Sequence, residues 1–132
     1  MNRYMLDTSM ASHLINEHPV VTRRVVTAPM TALCISAITM GELIFGLARR
    51  PDSKRLHRAV LEFLRRVDVL SWDSSIAEHY GTVRANLACR GKTLAPLDLL
   101  IATHALGVSA VLLTNDQAFT QVLSLQVEDW SV

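Results

Sequence analysis

The chain has 132 residues, half of them apolar by type, enough for one ordinary domain over residues 1–132 whose core needs no metal or disulfide staples. Charged residues make up 19% and aromatics 5%, which excludes a disordered chain. The formal net charge is +1, without the basic excess usual in nucleic-acid binders, although a total does not say where the charges lie.

In chain order, Tyr4-Met5-Leu6 reads as a short buried strand stopped by the capping residues Asp7-Thr8-Ser9. A helix follows to about Glu17, and Pro19 opens a second that ends near Ala28-Pro29. Leu33-Cys34-Ile35 is the next strand, with Ser36 placed to cap a helix over 37–48. Pro51-Asp52 starts an amphipathic helix whose inner face carries Leu56, Ala59, Val60, Phe63, Leu64 and Val67. Val69-Leu70 is a strand, and Asp73 caps a long helix that ends at Gly91. Pro96 opens a helix to Gly107, Val111-Leu112-Leu113 is a strand, and a short helix and a last strand near Gln126-Val127 complete the chain. Strands alternating with helices predict a three-layer α/β/α sandwich around a parallel sheet.

No apolar run approaches the roughly 18 residues of a membrane span. The start MNRYMLDTS lacks a secretory layout, so a cytoplasmic protein with no membrane association is expected. Cys34 and Cys89 have no C-x-x-C spacing and read as buried free thiols; the five histidines form no metal-spaced pair.

Four carboxylates stand where a core or a strand end is expected. Glu42 is the only charge in the apolar helix 37–48, and Asp98 is the only charge in Leu97-Asp98-Leu99-Leu100-Ile101-Ala102. An unpaired buried carboxylate is costly, so each needs a cationic partner or the two share one. Asp7 and Asp116 each follow a buried strand and precede a helix, at the sheet edge where α/β folds bind ligands. The blander roles are helix caps for Asp7 and Asp116, a helix-dipole interaction for Asp98 and an arginine pair for Glu42. Converging, the four make an oxygen-only pocket that selects Mg²⁺ or Mn²⁺ over zinc.

These acids lie in the segments YMLDTS (4–9), ISAITMGEL (35–43), LAPLDLLIATHA (94–105) and LLTNDQAF (112–119), with VEDW at 127–130. In order and spacing, across the whole chain, they are similar to the PIN-domain ribonucleases that serve as VapC toxins of bacterial VapBC toxin–antitoxin pairs. The resemblance implies a PIN-like sheet of about five parallel strands with the first and fourth adjacent. It carries the metal-binding and catalytic acids onto Asp7, Glu42 and Asp98, with Asp116 as the more variable fourth and Thr114 as a supporting hydroxyl. Ser9 stands where asparagine is commoner in the family, and is kept as a supporting position.

The implied activity is a metal-dependent endoribonuclease: water activated by Mg²⁺ or Mn²⁺ hydrolyses an RNA phosphodiester, leaving 5′-phosphate and 3′-hydroxyl ends. The expected target is the anticodon stem-loop of initiator tRNA, whose cleavage inhibits translation. A VapB-type antitoxin that neutralises the enzyme, a homodimer and a toxin–antitoxin hetero-oligomer are implied with it. Met40, Leu43, Ile44 and Leu47 are candidates to receive a partner's amphipathic segment. Seven bases and two acids between residues 49 and 66 offer a grip on a phosphate backbone, or a solvated helix face with Arg58, Glu62 and Arg66 paired. The non-enzymatic alternative is an acidic-pocket module that docks a basic peptide in a repressor complex.

Overall fold

The protein is described as a computed structural model that covers residues 2–29 and 32–132. Its centre is a five-stranded parallel sheet of β1 (Tyr4–Leu6), β2 (Leu33–Ser36), β3 (Asp68–Leu70), β4 (Val111–Leu113) and β5 (Val127–Glu128). The strand order is β3-β2-β1-β4-β5, so β1 lies between β2 and β4. Strands covered on both faces read as unbroken apolar runs, which is why three apolar residues suffice for β1 and β4.

Alternation along the strands divides the core in two. Leu6, Leu33, Ile35, Val111 and Leu113 point to a cluster shared with α1 (Thr8–Ile15), α2 (Pro19–Val26), α3 (Ala37–Ala48) and α4 (Lys54–Arg66). Met5, Cys34 and Leu112 point to the opposite cluster, covered by α5 (Ser74–Cys89) and α6 (Pro96–Gly107). These are the three layers expected. The chain winds from β1 towards β2 on one side and adds β4 on the other, so a crevice opens at the carboxyl ends of β1 and β4.

Several boundaries move for identifiable reasons. The first helix stops at Ile15, because Glu17 takes a left-handed φ of 59°. The amphipathic helix begins at Lys54, with Ser53 rather than Asp52 as its cap, its hydroxyl accepting from the Leu56 amide. α5 ends at Cys89, and Gly91 at φ 66° forms the cap: its amide and that of Lys92 donate to Ala88 and Leu87 at 3.1 and 2.8 Å. Cys34 is buried as expected, but Cys89 is exposed near the end of α5.

The largest departure is α3. Its composition implies burial nearly all round, yet only Thr39, Leu43 and Leu47 are buried, while Met40, Ile44 and Phe45 face outward; of the four residues offered to a partner, Met40 and Ile44 are thus available and Leu43 and Leu47 belong to the core. The C-terminus is anchored instead: Trp130 is buried, 5.0 Å from the Tyr4 ring, and donates to the Glu128 carboxylate at 2.9 Å. Among the described residues no helix is long and apolar enough to cross a membrane.

Candidate active site

Asp7 leaves β1 at the crevice and is 5% exposed. Its backbone amide donates to the Leu113 carbonyl at 3.0 Å, and the Thr114 amide donates to Glu128 at 3.0 Å. The parallel ladder therefore runs one residue past the strands and sets Asp7 beside Thr114, following the Leu6–Leu113 register. Asp7 is also the cap of α1, its Oδ1 accepting from the Met10 amide at 2.8 Å. The capping role and the crevice position are thus compatible rather than alternatives.

Asp116, exposed, caps the 3-10 turn Gln117–Gln121 through the Ala118 amide at 2.9 Å, and its own amide donates to the Thr114 hydroxyl at 3.0 Å. Thr114 is buried between the two acids. Asp98 sits half-buried in the first turn of α6, a helix whose Ala95 cap supplies no side-chain acceptor. Glu42 projects from α3 and accepts from the Thr8 hydroxyl at 2.6 Å, while Thr39 lies 3.4 Å from the same hydroxyl.

Charge shows that these acids share one environment. Burial raises the Asp98 pKa above its ordinary 3.8, and the negative charges of Asp116, Asp7 and Glu42 raise it further. Asp7 is raised too, mainly by burial and also by Asp116, against the opposing pull of the Thr114 hydroxyl, the Met10 amide and His13. Helix-dipole stabilisation does not offset these effects at Asp98.

Neither an arginine nor a lysine answers this charge. Among the described residues the ion pairs are Arg3–Asp68 and Glu62 with Arg65 and Arg66, none at the crevice. The arginine partner considered for Glu42 is absent from them, and a threonine hydroxyl occupies its carboxylate instead. Glu62 pairs with Arg65 and Arg66 and not with Arg58. As placed, no three acids, imidazoles or thiols among the described residues stand close enough to hold an ion. The donor set is nonetheless all oxygen, with negative charge pressing on Asp98 and Asp7 and no lysine or arginine ion pair to it among the described residues, which fits a divalent ion of the Mg²⁺ or Mn²⁺ type.

Thr8 was not singled out by sequence, although it directly follows Asp7 and a hydroxyl there was the available signal. Ser9 is exposed on the first turn of α1 and has no side-chain hydrogen bond to any of the four acids. Thr114 is where it was expected, between the two strand-end acids.

With a crevice of four acids on this topology, comparison with known proteins is decisive: the sequence profile of the PIN domain matches residues 4–123. The chain belongs to the PIN-domain family. It is 37% identical over 133 residues to the tRNA(fMet)-specific endonuclease VapC of Shigella flexneri, spanning 99% of this chain and 100% of that one. The Salmonella typhimurium protein of the same name is 34% identical over 131 residues, spanning 98% of this chain and 99% of its own. The crystal structure of DNA-bound VapBC from Salmonella typhimurium superimposes with a TM-score of 0.90 at 34% identity, over 98% of this chain and 99% of that one. PIN-domain nucleases depend in general on divalent metals, and the oxygen-only crevice of this PIN domain accords with that.

Proposed function

We propose that this PIN domain is a Mg²⁺- or Mn²⁺-dependent endoribonuclease toxin that cuts the anticodon stem-loop of initiator tRNA and is neutralised by a VapB-type antitoxin. The observation that carries the reading is the crevice itself: Asp98 bears the negative charge of Asp116, Asp7 and Glu42, Asp7 bears that of Asp116, and among the described residues no lysine or arginine pairs with any of them. The tRNA target is supported by the names of the two VapC relatives above.

Asp7, Glu42 and Asp98, with Asp116 beside them, would hold the ion. When bound, such an ion supplies Lewis acidity, bringing a water towards ionisation near neutral pH and offsetting charge on the phosphodiester. The chain's own side chains do the orienting. The Met10 amide fixes one oxygen of Asp7, leaving the other for the crevice. Thr8 holds Glu42 by one oxygen, so the free oxygen of Glu42 is aimed and can accept a proton from the attacking water. Asp98 supplies a further carboxylate from the first turn of α6.

For the antitoxin, a cavity of about 140 Å³ between α1, α3 and α4 runs from Thr8 and Glu42 to Leu56 and Val60. Such a groove suits an amphipathic segment that brings a cation to the acids. The outward Met40, Ile44 and Phe45 of α3 support assembly into a homodimer and, with antitoxin, a hetero-oligomer.

The test is cleavage of end-labelled initiator tRNA by antitoxin-free protein, with Mg²⁺ or Mn²⁺ and then with chelator. Cleavage that needs the ion and disappears in Asp98→Ala and Asp7→Asn is expected. Folded protein that cuts no RNA under any of these conditions would favour the acidic docking module instead.

A further inference from the structure

We propose that the cleft between the C-terminal half of α5 and the start of α6 is a subsite for the RNA strand that runs past the acid crevice; this rests on the ribonuclease reading above. The cleft measures about 460 Å³ and is lined by Tyr80, Arg84, Leu87, Lys92, Leu94 and Leu99 among others. That is the size range of a pocket for a nucleotide-sized ligand. Leu99 and Pro96 line the cleft from the same first turn of α6 that carries Asp98, so one helix start serves both the cleft and the crevice.

Its chemistry matches a nucleotide in three respects. Both charged side chains in the lining, Arg84 and Lys92, are cations. Neither belongs to an ion pair among the described residues, so their charge is available to phosphate. Leu87, Leu94 and Leu99 make part of the lining apolar, and Tyr80 brings an aromatic ring, the type of group on whose face a base stacks.

Local structure holds these groups in place. Arg84 donates to the Tyr80 hydroxyl at 3.1 Å one helical turn away, and its guanidinium lies 6.0 Å from that ring. Tyr80 is braced by Trp72, edge-on at 6.1 Å, whose indole N–H donates to the Leu100 carbonyl of α6. Lys92 sits at the α5 cap, where its amide bond to Leu87 and the left-handed Gly91 fix the backbone. The neighbouring Arg90 is already engaged, donating to Asn86 and to the Gln121 carbonyl, and so is not counted.

A cationic, partly apolar cleft that shares the first turn of α6 with Asp98 separates two tasks. The strand is attracted here while the acids remain free for the ion. The basic stretch 49–66 lies on the other layer: Arg65 and Arg66 are spent on Glu62, and α4 packs against the opposite sheet face.

The experiment uses the full chain with Asp7→Asn, so that bound RNA is not cut, and a fluorescein-labelled single-stranded RNA read by anisotropy across a salt series. Arg84→Gln with Lys92→Gln is expected to weaken binding at least about tenfold and to reduce the slope of log affinity on log salt by about 1.4, or about 0.7 per lost phosphate contact. Lys54→Gln with Arg55→Gln, the same charge change on α4, is expected to cost less. Unchanged affinity and slope in the cleft variant would overturn the proposal, as would an equal loss in the α4 variant. So would a shift in oligomeric mass with RNA affinity intact, which would make the cleft a protein contact. Lys92→Gln alone, at an exposed cap, serves if the pair fails to fold, with half the slope change expected. An otherwise active enzyme indifferent to these substitutions overturns the cleft alone; wild-type protein that neither binds nor cuts RNA overturns the ribonuclease reading with it.

Discussion

Replacing Thr8 by valine keeps the β-branched shape and removes one hydroxyl, the group that donates to Glu42 at 2.6 Å. A hydrogen bond to a charged acceptor contributes about 1.5–3 kcal/mol, and half-burial of Glu42 lets water recover part of it, leaving about 1–2 kcal/mol. If that bond aims Glu42 for catalysis, kcat/KM for RNA cleavage falls about 5- to 30-fold. The α1 cap is untouched, because Asp7 and the Met10 amide supply it. The assay is steady-state cleavage of labelled tRNA at saturating Mg²⁺, with serine at position 8 restoring most of the rate. A double-mutant cycle with Glu42→Gln separates positioning from a general structural effect, since the Thr8→Val loss should largely vanish once the Glu42 carboxylate is gone. Wild-type kcat/KM in Thr8→Val, or an undiminished loss in the Glu42→Gln background, would refute the reasoning.

Asp7→Asn keeps the cap, because an asparagine oxygen can accept from the Met10 amide, and removes a buried charge. Its melting temperature without divalent ions should match or exceed that of wild type while cleavage is abolished. That advantage should shrink on acidification. The Asp7 pKa is raised in the fold, so its ionisation opposes folding above the folded pKa and the opposition is gone below the unfolded value of 3.8. His104 acts in the other direction: burial lowers its pKa from 6.5, and its Nε2 has no partner among the described residues. As pH falls through 6.5 the unfolded chain takes a proton that the folded one refuses, so urea midpoints should decline between pH 7.5 and 5.5 in wild type and less in His104→Gln.

The central strands β1, β2 and β4 were readable because both-face burial writes them as apolar runs, and the α1, α3 and α5 starts because Asp7, Ser36 and Asp73 are capping residues that do cap. The exposure of α3 was readable only in part: Met40 and Ile44 of the face offered to a partner do face outward, but Leu43 and Leu47 of that face are buried and the more exposed Phe45 was not singled out. Composition records that Met40, Ile44 and Phe45 are apolar, whereas burial depends on which neighbours the fold supplies, and α1, α4 and the sheet cover only one side. Nor does spacing reveal that Asp7 and Asp116 meet. Their proximity follows from β4 pairing with β1, a non-local register to which the family resemblance pointed and local pattern did not. Thr8 and the cleft of Arg84 and Lys92 belong to the same class, since each depends on a partner from another element or on the angle between two helices.

The central claim is that Asp7, Glu42, Asp98 and Asp116 form one divalent-ion site. Anomalous diffraction from crystals grown with Mn²⁺ tests it most directly. An anomalous peak enclosed by these carboxylates, absent in Asp98→Ala crystals, is the expected result; Mn²⁺ bound elsewhere, with the four acids empty at saturating ion, would contradict it.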